Sequence, residues 1–266
     1  MTARIALTIA GSDSGGGAGI QADLKAFSAN GVYGASVITA LTAQNTRGVD
    51  AIHNIPPAFI AAQMDSVFSD LRIDAVKIGM LSQVAVIETV AEGLARHGAS
   101  TIVLDPVMVA TSGDRLLADA AIEALKSVLI PRALLITPNL HEAAALLGTS
   151  MAGDETAMAR QAEALLRLGP RAVLVKGGHG TSAEAVDLLL TGEGLTRLAA
   201  PRLPTRNTHG TGCTLSSAIA AHLALGKPLQ DAVRAAKAYV SAAIAAADRL
   251  GVGHGHGPTH HFHAWW

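Results

Sequence analysis

Short aliphatic runs alternate with longer amphipathic segments along most of this chain. Six runs have the length and composition of buried strands: Ile5–Ala10, Ser36–Ala43, Ala75–Ile78, Thr101–Leu104, Ala133–Thr137 and Ala172–Lys176. The segments between them carry apolar residues at helical spacing: Gly19–Asn30, Ala58–Leu71, Gln83–His97, Arg115–Leu129, Leu140–Leu147 and Glu155–Leu168. Apolar strands that are each followed by a helix predict an α/β fold, with a mostly parallel central sheet and helices on both faces.

The last third of the chain has a different pattern. Ala185–Leu190 and Leu195–Ala199 flank a short Gly-containing turn, which predicts a hairpin of antiparallel edge strands. Two alanine-rich helices, Thr211–Leu225 and Leu229–Leu250, are expected to close the fold. No linker, charge block or internal repeat divides the sequence, so we expect a single domain spanning residues 1–266.

Composition narrows the functional classes. The 266 residues are 50% hydrophobic and 3% aromatic, which is enough for a large aliphatic core. The net charge of −1 gives no field that attracts nucleic acid or an acidic membrane surface. A single cysteine suits a reducing compartment, and no apolar run approaches the length of a membrane span. We therefore expect a soluble cytoplasmic protein with small-molecule ligands.

Glycine-rich and polar segments follow the predicted strands at their carboxyl ends. These segments are Gly11–Gly19, Gly79–Ser82, Asp105–Gly113, Pro138–Glu142 and Lys176–Gly180. Ligands bind at the carboxyl edge of open α/β sheets, so their convergence predicts a binding site there. The small residues, proline and glycine of Asp105–Gly113 further predict a mobile flap that orders over bound substrate.

The only cysteine, Cys213, follows Gly210-Thr211-Gly212 at the start of a predicted helix. Glycines at a helix N-terminus leave backbone N–H groups free to bind an anion, and the helix dipole adds positive potential. The same position is expected to lower the pKa of the thiol, which would make it a proton acceptor. An anion-binding site next to a proton acceptor favours phosphoryl transfer. A cysteine without such glycines before it is usually a buried hydrophobic residue.

Two other nucleotide-binding motifs fit poorly. The glycine loop after the first strand lacks the Gly-Lys-Ser/Thr ending of a Walker A motif. Gly17–Ala22 matches a loose dinucleotide fingerprint, but Val37–Gln44 contains no acidic residue to bind a ribose. An NAD-dependent enzyme is therefore disfavoured.

Seven motifs resemble, in order, those of hydroxymethylpyrimidine/phosphomethylpyrimidine kinases of the ribokinase-like superfamily. They are Gly11–Lys25, Thr42–Thr46, Lys77–Leu81, Asp105–Val109, Thr137–Glu142, Val175–His179 and Asn207–Cys213. The resemblance runs from about residue 5 to residue 263. It implies ATP-dependent phosphorylation of the 5-hydroxymethyl group of a pyrimidine and then of the monophosphate, with Mg²⁺ as cofactor and a homodimer as the usual assembly.

The resemblance also implies roles for individual residues. Cys213 corresponds to the catalytic base, where many relatives in the superfamily have aspartate, and Gly210, Thr211 and Gly212 would form the anion hole. The pyrimidine would contact Gly11, Asp23, Gln44, Met80 and Val107. Nucleotide and phosphate contacts would come from Asp105, Asn139 and Lys176, and Glu142 would hold Mg²⁺.

Several of these residues have structural alternatives. Asn139 and Glu142 have the spacing of a helix capping box, which is compatible with a metal role. Met80 could be an ordinary core residue, and Gln44 could bond nearby backbone. The His-rich segment Gly253–Phe262 resembles the family's own ending, and we interpret it as a packed or oligomer-stabilising tail rather than a metal site.

Two other functions remain open at this stage. A pyridoxine or pyridoxal kinase uses a similar scaffold, and only an assay of both substrates separates it from a pyrimidine kinase. A silent binding protein that senses a thiamine precursor would be expected to lose Cys213, Lys176 or the anion-hole glycines, and this chain retains all of them.

Overall fold

The computed structural model describes residues 2–108, 119–178 and 183–266. Their nine strands form one sheet in the order β3-β2-β1-β4-β5-β6-β7-β8-β9. The strands are β1 (Ile5–Asp13), β2 (Tyr33–Gln44), β3 (Val49–Asn54), β4 (Ala75–Ile78), β5 (Ile102–Leu104), β6 (Leu135–Ile136), β7 (Val173–Lys176), β8 (Glu184–Thr191) and β9 (Gly194–Pro201). The α-helices are α1 (Gly19–Ala29), α2 (Pro57–Asp70), α3 (Val84–Arg96), α4 (Asp119–Ala124), α5 (Leu140–Leu147), α6 (Glu155–Leu166), α7 (Thr211–Ala224) and α8 (Leu229–Ala245).

The centre of the sheet is parallel, as predicted. Strands β2, β1, β4, β5, β6 and β7 pair in parallel, whereas β8 and β9 form the expected antiparallel hairpin at one edge. Strand β3 pairs antiparallel with β2 at the opposite edge and was not predicted. Residues 50–53 of β3 are all exposed, so the strand has no buried face and no alternation of apolar residues to reveal it.

Two apolar layers cover the two faces of the sheet. Leu7 and Ile9 of β1 pack toward α2, α3, α5 and α6, while Ala6 packs toward α1, α7 and α8. Alternation along β4 likewise sends Val76 and Ile78 to the first layer and Lys77 to the opposite face. The face covered by α1 and α7 is therefore the one that receives a buried lysine.

Two predicted helices differ in the structure. The described part of Arg115–Leu129 is α4, followed by a π-helical turn at Leu125–Leu129 and a 3₁₀ turn at Ile130–Arg132 that contains a proline. The last helix ends at Ala245 instead of continuing to Leu250, and a 3₁₀ turn follows it. Most of the predicted flap and the end of the Lys176–Gly180 segment lie outside the described residues. Among the residues described, none of the helices has the length and apolarity required of a membrane span.

Candidate active site

The glycine loop after β1 lies directly against the loop before α7. Gly210 caps α7 with a left-handed backbone (φ +76°), and a Cβ there would overlap the carbonyl oxygen of Gly17. The first backbone hydrogen bond of α7 runs from the Thr214 N–H to the Gly210 oxygen at 2.8 Å. The N–H groups of Gly212 and Cys213 thus precede the helical ladder, where an anion can bind them.

Thr211 contributes to the shape of this loop. Its N–H and its hydroxyl both donate to the carbonyl oxygen of Thr208, at 3.2 and 2.7 Å. Because its backbone donor is already bonded, the N–H groups left to receive an anion at this helix start are those of Gly212 and Cys213.

Asp13 and His209 join the two loops, and neither residue is among those predicted from the sequence to lie in the site. Asp13 accepts hydrogen bonds from the N–H groups of Gly15, Gly17 and Ala18 at 2.8–3.0 Å, and its Oδ2 lies 2.9 Å from His209 Nε2. Burial by itself would raise the pKa of Asp13, but the hydrogen bonds from His209 and Ala18 lower it below its usual value. An aspartate directly before a glycine-rich loop was the available signal, since such side chains commonly bond the following backbone.

Cys213 lies in the first turn of α7 and is partly buried. Burial raises the pKa of its thiol to about 11, although the charge of Lys77 and the Gly19 N–H act in the opposite direction. The expectation of a lowered pKa is therefore wrong, because desolvation outweighs the effect of the helix N-terminus. At neutral pH the thiol is protonated, and its thiolate is a minor species.

Lys176 and Asp105 form an ion pair beside the start of α7. Lys176 Nζ lies 2.7 Å from Asp105 Oδ1, which also accepts a 2.9 Å bond from the Thr137 hydroxyl. A Cβ at Gly212 would lie 3.2 Å from the same ammonium, so glycine allows Lys176 to approach the start of α7. Burial opposes both charges, but each partner stabilises the other: the pKa of Asp105 is lowered and that of Lys176 is raised.

Asn139 and Glu142 form the capping box of α5. Asn139 Oδ1 accepts from the Glu142 N–H at 2.9 Å, and Glu142 Oε2 accepts from the Asn139 N–H at 2.7 Å. Glu142 also lies 3.9 Å from Lys176 Nζ, and burial raises its pKa to about 7 despite that charge. The structural interpretation of this motif is therefore confirmed. No cluster of three acidic, His or Cys side chains able to hold a metal occurs among the described residues.

Gly11, Met80 and Gln44 lie at the carboxyl ends of β1, β4 and β2. The Met80 methyl group would lie only 2.6 Å from a Cβ at Gly11, so the absence of a side chain there lets Met80 cross over the strand. Met80 is 9% exposed, which fits core packing as well as a pocket wall. Val107 is less buried and lies after β5, where its N–H donates to the backbone carbonyl oxygen of Asp105.

The hydrogen-bond partners of the Gln44 side-chain amide each have another hydrogen bond of their own. Its Oε1 competes with the Ser12 carbonyl for the one proton of the Thr42 hydroxyl. Its Nε2 lies 3.5 Å from His209 Nε2, which is itself bonded to Asp13. Such an amide remains able to donate and accept toward a bound heterocycle.

Asp23 requires a correction. Its side chain is fully buried and accepts from Lys77 at both oxygens, from Thr8 at 2.6 Å and from Ser217 at 2.7 Å. These contacts occupy the carboxylate and leave it no exposed surface, so the structure contradicts the expected contact between Asp23 and the pyrimidine. Asp23 lies in a buried network with Thr8, Lys77 and Ser217, which the local sequence does not reveal.

The C-terminal tail packs against the loops of the site, as interpreted from the sequence. The Gly257 oxygen accepts from the His209 N–H at 3.0 Å, and the His256 N–H donates to the Thr46 oxygen at 2.8 Å. His261 Nε2 lies 3.0 Å from the hydroxyl of Thr214, in the first turns of α7. The same hydroxyl lies 2.8 Å from the Gly210 carbonyl oxygen, so the tautomer of His261 determines which atom donates in the contact with Thr214.

His261→Gln should make the protein less sensitive to acid. Burial, with the charges of Lys25 and His260, lowers the pKa of His261 from 6.5 to about 3 in the folded state. Below pH 6.5 only the unfolded state gains a proton here, so stability is lost as the pH falls, by about 1.4 kcal/mol per pH unit. Between pH 7.5 and 5.0 the wild type should lose about 2 kcal/mol more than the variant, measured by urea unfolding. Parallel pH dependence of the two proteins would contradict this.

Comparison with known proteins points to one enzyme family. The chain matches the phosphomethylpyrimidine kinase family over residues 13–260. It is 64% identical, over 266 residues, to a hydroxymethylpyrimidine/phosphomethylpyrimidine kinase of Rhizobium meliloti, and this match covers 100% of the chain and 99% of that protein.

Solved structures share the fold across the whole chain. A pyridoxal kinase of Bacillus subtilis, in an ADP complex, has a TM-score of 0.91 and 37% identity, with 98% of each chain covered. A pyridoxal kinase of Staphylococcus aureus in complex with AMP-PCP has a TM-score of 0.91 and 32% identity, covering 100% of this chain and 96% of that one. The predicted ribokinase-like fold is therefore confirmed.

Proposed function

The chain belongs to the phosphomethylpyrimidine kinase family, and from this we propose that it phosphorylates 4-amino-5-hydroxymethyl-2-methylpyrimidine and then the resulting monophosphate. It is a phosphotransferase, as its named relatives are. The observation that carries the proposal is the position of Cys213 and its backbone N–H at the start of α7, next to the Lys176–Asp105 pair. A proton acceptor, an anion-binding helix end and a cation are what phosphoryl transfer to a hydroxyl needs.

In the first reaction, the hydroxyl oxygen of the pyrimidine attacks the γ-phosphorus of ATP. The new bond forms as the bond from that phosphorus to the β,γ-bridging oxygen breaks, and ADP leaves. Cys213 Sγ, as thiolate, takes the hydroxyl proton. The N–H groups of Gly212 and Cys213, together with the Lys176 ammonium, stabilise the charge on the transferring group. Asp105 holds Lys176 in place through the 2.7 Å contact.

ATP as phosphoryl donor is supported by the nucleotide complexes of structurally similar kinases. For Mg²⁺, we propose that Glu142 binds it directly or through water, with Asn139 beside it. The carboxylate suits this hard cation, and a bound cation would favour its charged form, which burial opposes. Bound Mg²⁺ would neutralise phosphate charge in the transition state.

The pyrimidine is favoured over pyridoxal because a relative 64% identical across the full chain is a pyrimidine kinase, while the pyridoxal kinases are more distant. The test is ATP-dependent turnover of both substrates by the purified chain under the same conditions. Higher kcat/KM for the pyrimidine, with its diphosphate as end product, would support the proposal. Preference for pyridoxal would reject it.

Gln44→Leu should weaken binding of the pyrimidine. We propose that the Gln44 amide makes hydrogen bonds to the polar edge of the ring. The variant leaves that edge unpaired, which costs about 1–3 kcal/mol of binding free energy. KM for the pyrimidine should rise about 5- to 150-fold with kcat retained, because the contact exists in both ground and transition states. Steady-state kinetics with each substrate varied would measure this.

Gln63→Leu is the matched control. Gln63 makes hydrogen bonds of 2.9 and 3.0 Å with the backbone of Ile38, far along β2 from Gln44. Its loss should lower stability and leave KM unchanged. An unchanged pyrimidine KM in Gln44→Leu, or a raised KM for ATP instead, would show that the pocket lies elsewhere.

We further propose that residues 1–266 act as one domain in a homodimer in the cytoplasm. The single sheet that runs through the described residues supports one domain. The exposed edge strand β3 supports association with a second copy, since exposed edges tend to pair. The lone cysteine suits a reducing compartment. Light scattering on the purified chain would measure the mass of the assembly.

A further inference from the structure

Lys77 is the most deeply buried cation of the described chain, and the reaction outlined above does not use it. Its side chain is 0% exposed in the middle of β4. A charge with no access to water is costly unless it is paired, so its presence calls for an explanation.

The contacts of Lys77 place its ammonium under both helices of the site. Thr8 and Lys77 are register partners in β1 and β4, and both bond the carboxylate of Asp23 in α1. The hydroxyl of Ser217 in α7 donates to the same Asp23 oxygen that receives Lys77 at 2.9 Å. The network therefore joins two strands to the second turns of α1 and α7.

The spacing along α7 brings this charge close to the reacting thiol. Ser217 lies four residues after Cys213, which places both on one face of the helix. Asp23 likewise lies four residues after Gly19, whose N–H faces the Cys213 sulfur. The cation bonded to Asp23 is thus adjacent to the helix face that carries Cys213.

The position of the Lys77 ammonium leaves no room for a side chain at Gly79. A Cβ at Gly79 would lie 2.7 Å from Lys77 Nζ and 2.9 Å from the Ala10 Cβ. The ammonium therefore presses against the backbone just before Met80, at the carboxyl edge of the sheet. It occupies the floor of the proposed pocket.

We propose that Lys77 is a positioning residue that acts through Cys213: its buried charge, oriented by Asp23, stabilises the thiolate that accepts the substrate proton. This rests on the proposed function, which gives the thiolate its role. Four charged groups act on the thiol: Lys77 from β4, Asp23 from α1, Asp105 after β5 and Lys176 at the end of β7. The effect of Lys77 exceeds that of Asp23, so the pair as a whole favours the thiolate.

The test is the rate of alkylation of Cys213 by iodoacetamide between pH 6.5 and 9, followed by mass spectrometry. Cys213 is the only cysteine, so the label reports this thiol alone. An opposite charge close to a thiol shifts its pKa by about 1–3 units. Because thiolates of higher pKa are more nucleophilic, which offsets part of the lost thiolate, the net result in Lys77→Met should be alkylation about 3- to 50-fold slower at each pH. A merely structural role would loosen α7 and speed the reaction.

Three other variants complete the test. Lys77→Arg keeps the charge and should react within about twofold of wild type. Lys237→Met removes a different Lys–Asp pair, which is largely buried and in which Lys237 Nζ lies 2.6 Å from Asp187, and it should leave the rate unchanged. The double variant Asp23→Asn/Lys77→Met leaves no unpaired carboxylate, so it can replace Lys77→Met in the test if the single variant does not fold. It should also react more slowly than wild type.

Alkylation as fast as in wild type, or faster, in Lys77→Met or in the double variant would overturn the inference. It would also be overturned if Lys77→Arg or Lys237→Met reacted as slowly as Lys77→Met. Alkylation needs no turnover. A chain with the expected alkylation rates but no kinase activity would therefore reject the proposed function and leave the effect of Lys77 on the thiol intact.

Discussion

Cys213→Ala is expected to lower kcat for phosphorylation of the hydroxymethyl group by about 10²–10⁴, the usual contribution of a general base. The substrate hydroxyl must lose its proton to attack phosphorus, and Cys213 at the start of α7 is the proposed acceptor. Nucleotide affinity should change little, because the backbone N–H of residue 213 is kept. Single-turnover kinetics with the pyrimidine alcohol would measure the loss.

The second phosphorylation is an internal control for this variant. Its acceptor is a phosphate group, which is largely ionised near neutral pH because its second pKa is about 6. No base is needed for that step, so Cys213→Ala should slow it much less than the first. Cys213→Ser should not rescue the first step, since a hydroxyl is far less acidic than a thiol.

The pH dependence of first-step kcat should also distinguish the wild type from Cys213→Ala. In the proposed role Cys213 acts as the thiolate, and burial raises the pKa of its thiol to about 11, so first-step kcat in the wild type should rise with pH between 7 and 9. The variant should lack this rise. If Cys213→Ala kept more than about a third of wild-type turnover with chemistry rate-limiting, the role assigned to Cys213 would be wrong.

Much of the fold could be predicted because its central strands are buried on both faces. Runs such as Ala75–Ile78 are apolar whichever way each side chain points, apart from the one lysine that pairs below the pocket. Strand β3 could not be predicted, because exposure on both faces removes the pattern. The end of α8 was placed too late because alanine-rich sequence continues past Ala245 and does not mark where packing ends.

The site was predictable only where neighbouring residues define it. Gly210-Thr211-Gly212-Cys213 is a local arrangement, and the structure places it at the start of α7 as expected. The Asp13–His209 contact joins residues 196 apart, and the Lys77–Asp23 pair joins residues 54 apart. No spacing along the chain shows which distant charges meet.

The Cys213 thiol illustrates the same limit in energetic terms. A helix N-terminus can be read from sequence, and taken alone it lowers a thiol pKa. The degree of burial depends on how α1, α7 and the loops pack together, and here burial has the larger effect. The sign of the pKa shift is thus a property of the packed structure.

Gly210→Ala is expected to lower kcat by roughly 10²–10³, which is the effect of losing one donor of an anion hole. Gly210 has a φ of +76°, a conformation that costs a residue with a side chain roughly 1–2 kcal/mol. Its added methyl group would also overlap the Gly17 oxygen, so the two glycine loops must separate. That movement carries the N–H groups of Gly212 and Cys213 away from the transferring phosphoryl group.

Gly226→Ala separates these two causes. Gly226 has a similar φ of +86° at the other end of α7, and no atom lies within 4 Å of the position of its Cβ. This variant should lose stability from backbone strain alone, about 1 kcal/mol by urea unfolding, and keep wild-type kcat. Gly210→Ala should lose more stability and nearly all turnover, because contact between the loops fixes the anion hole. Equal stability losses with full activity in both variants would mean that this contact does not position the site.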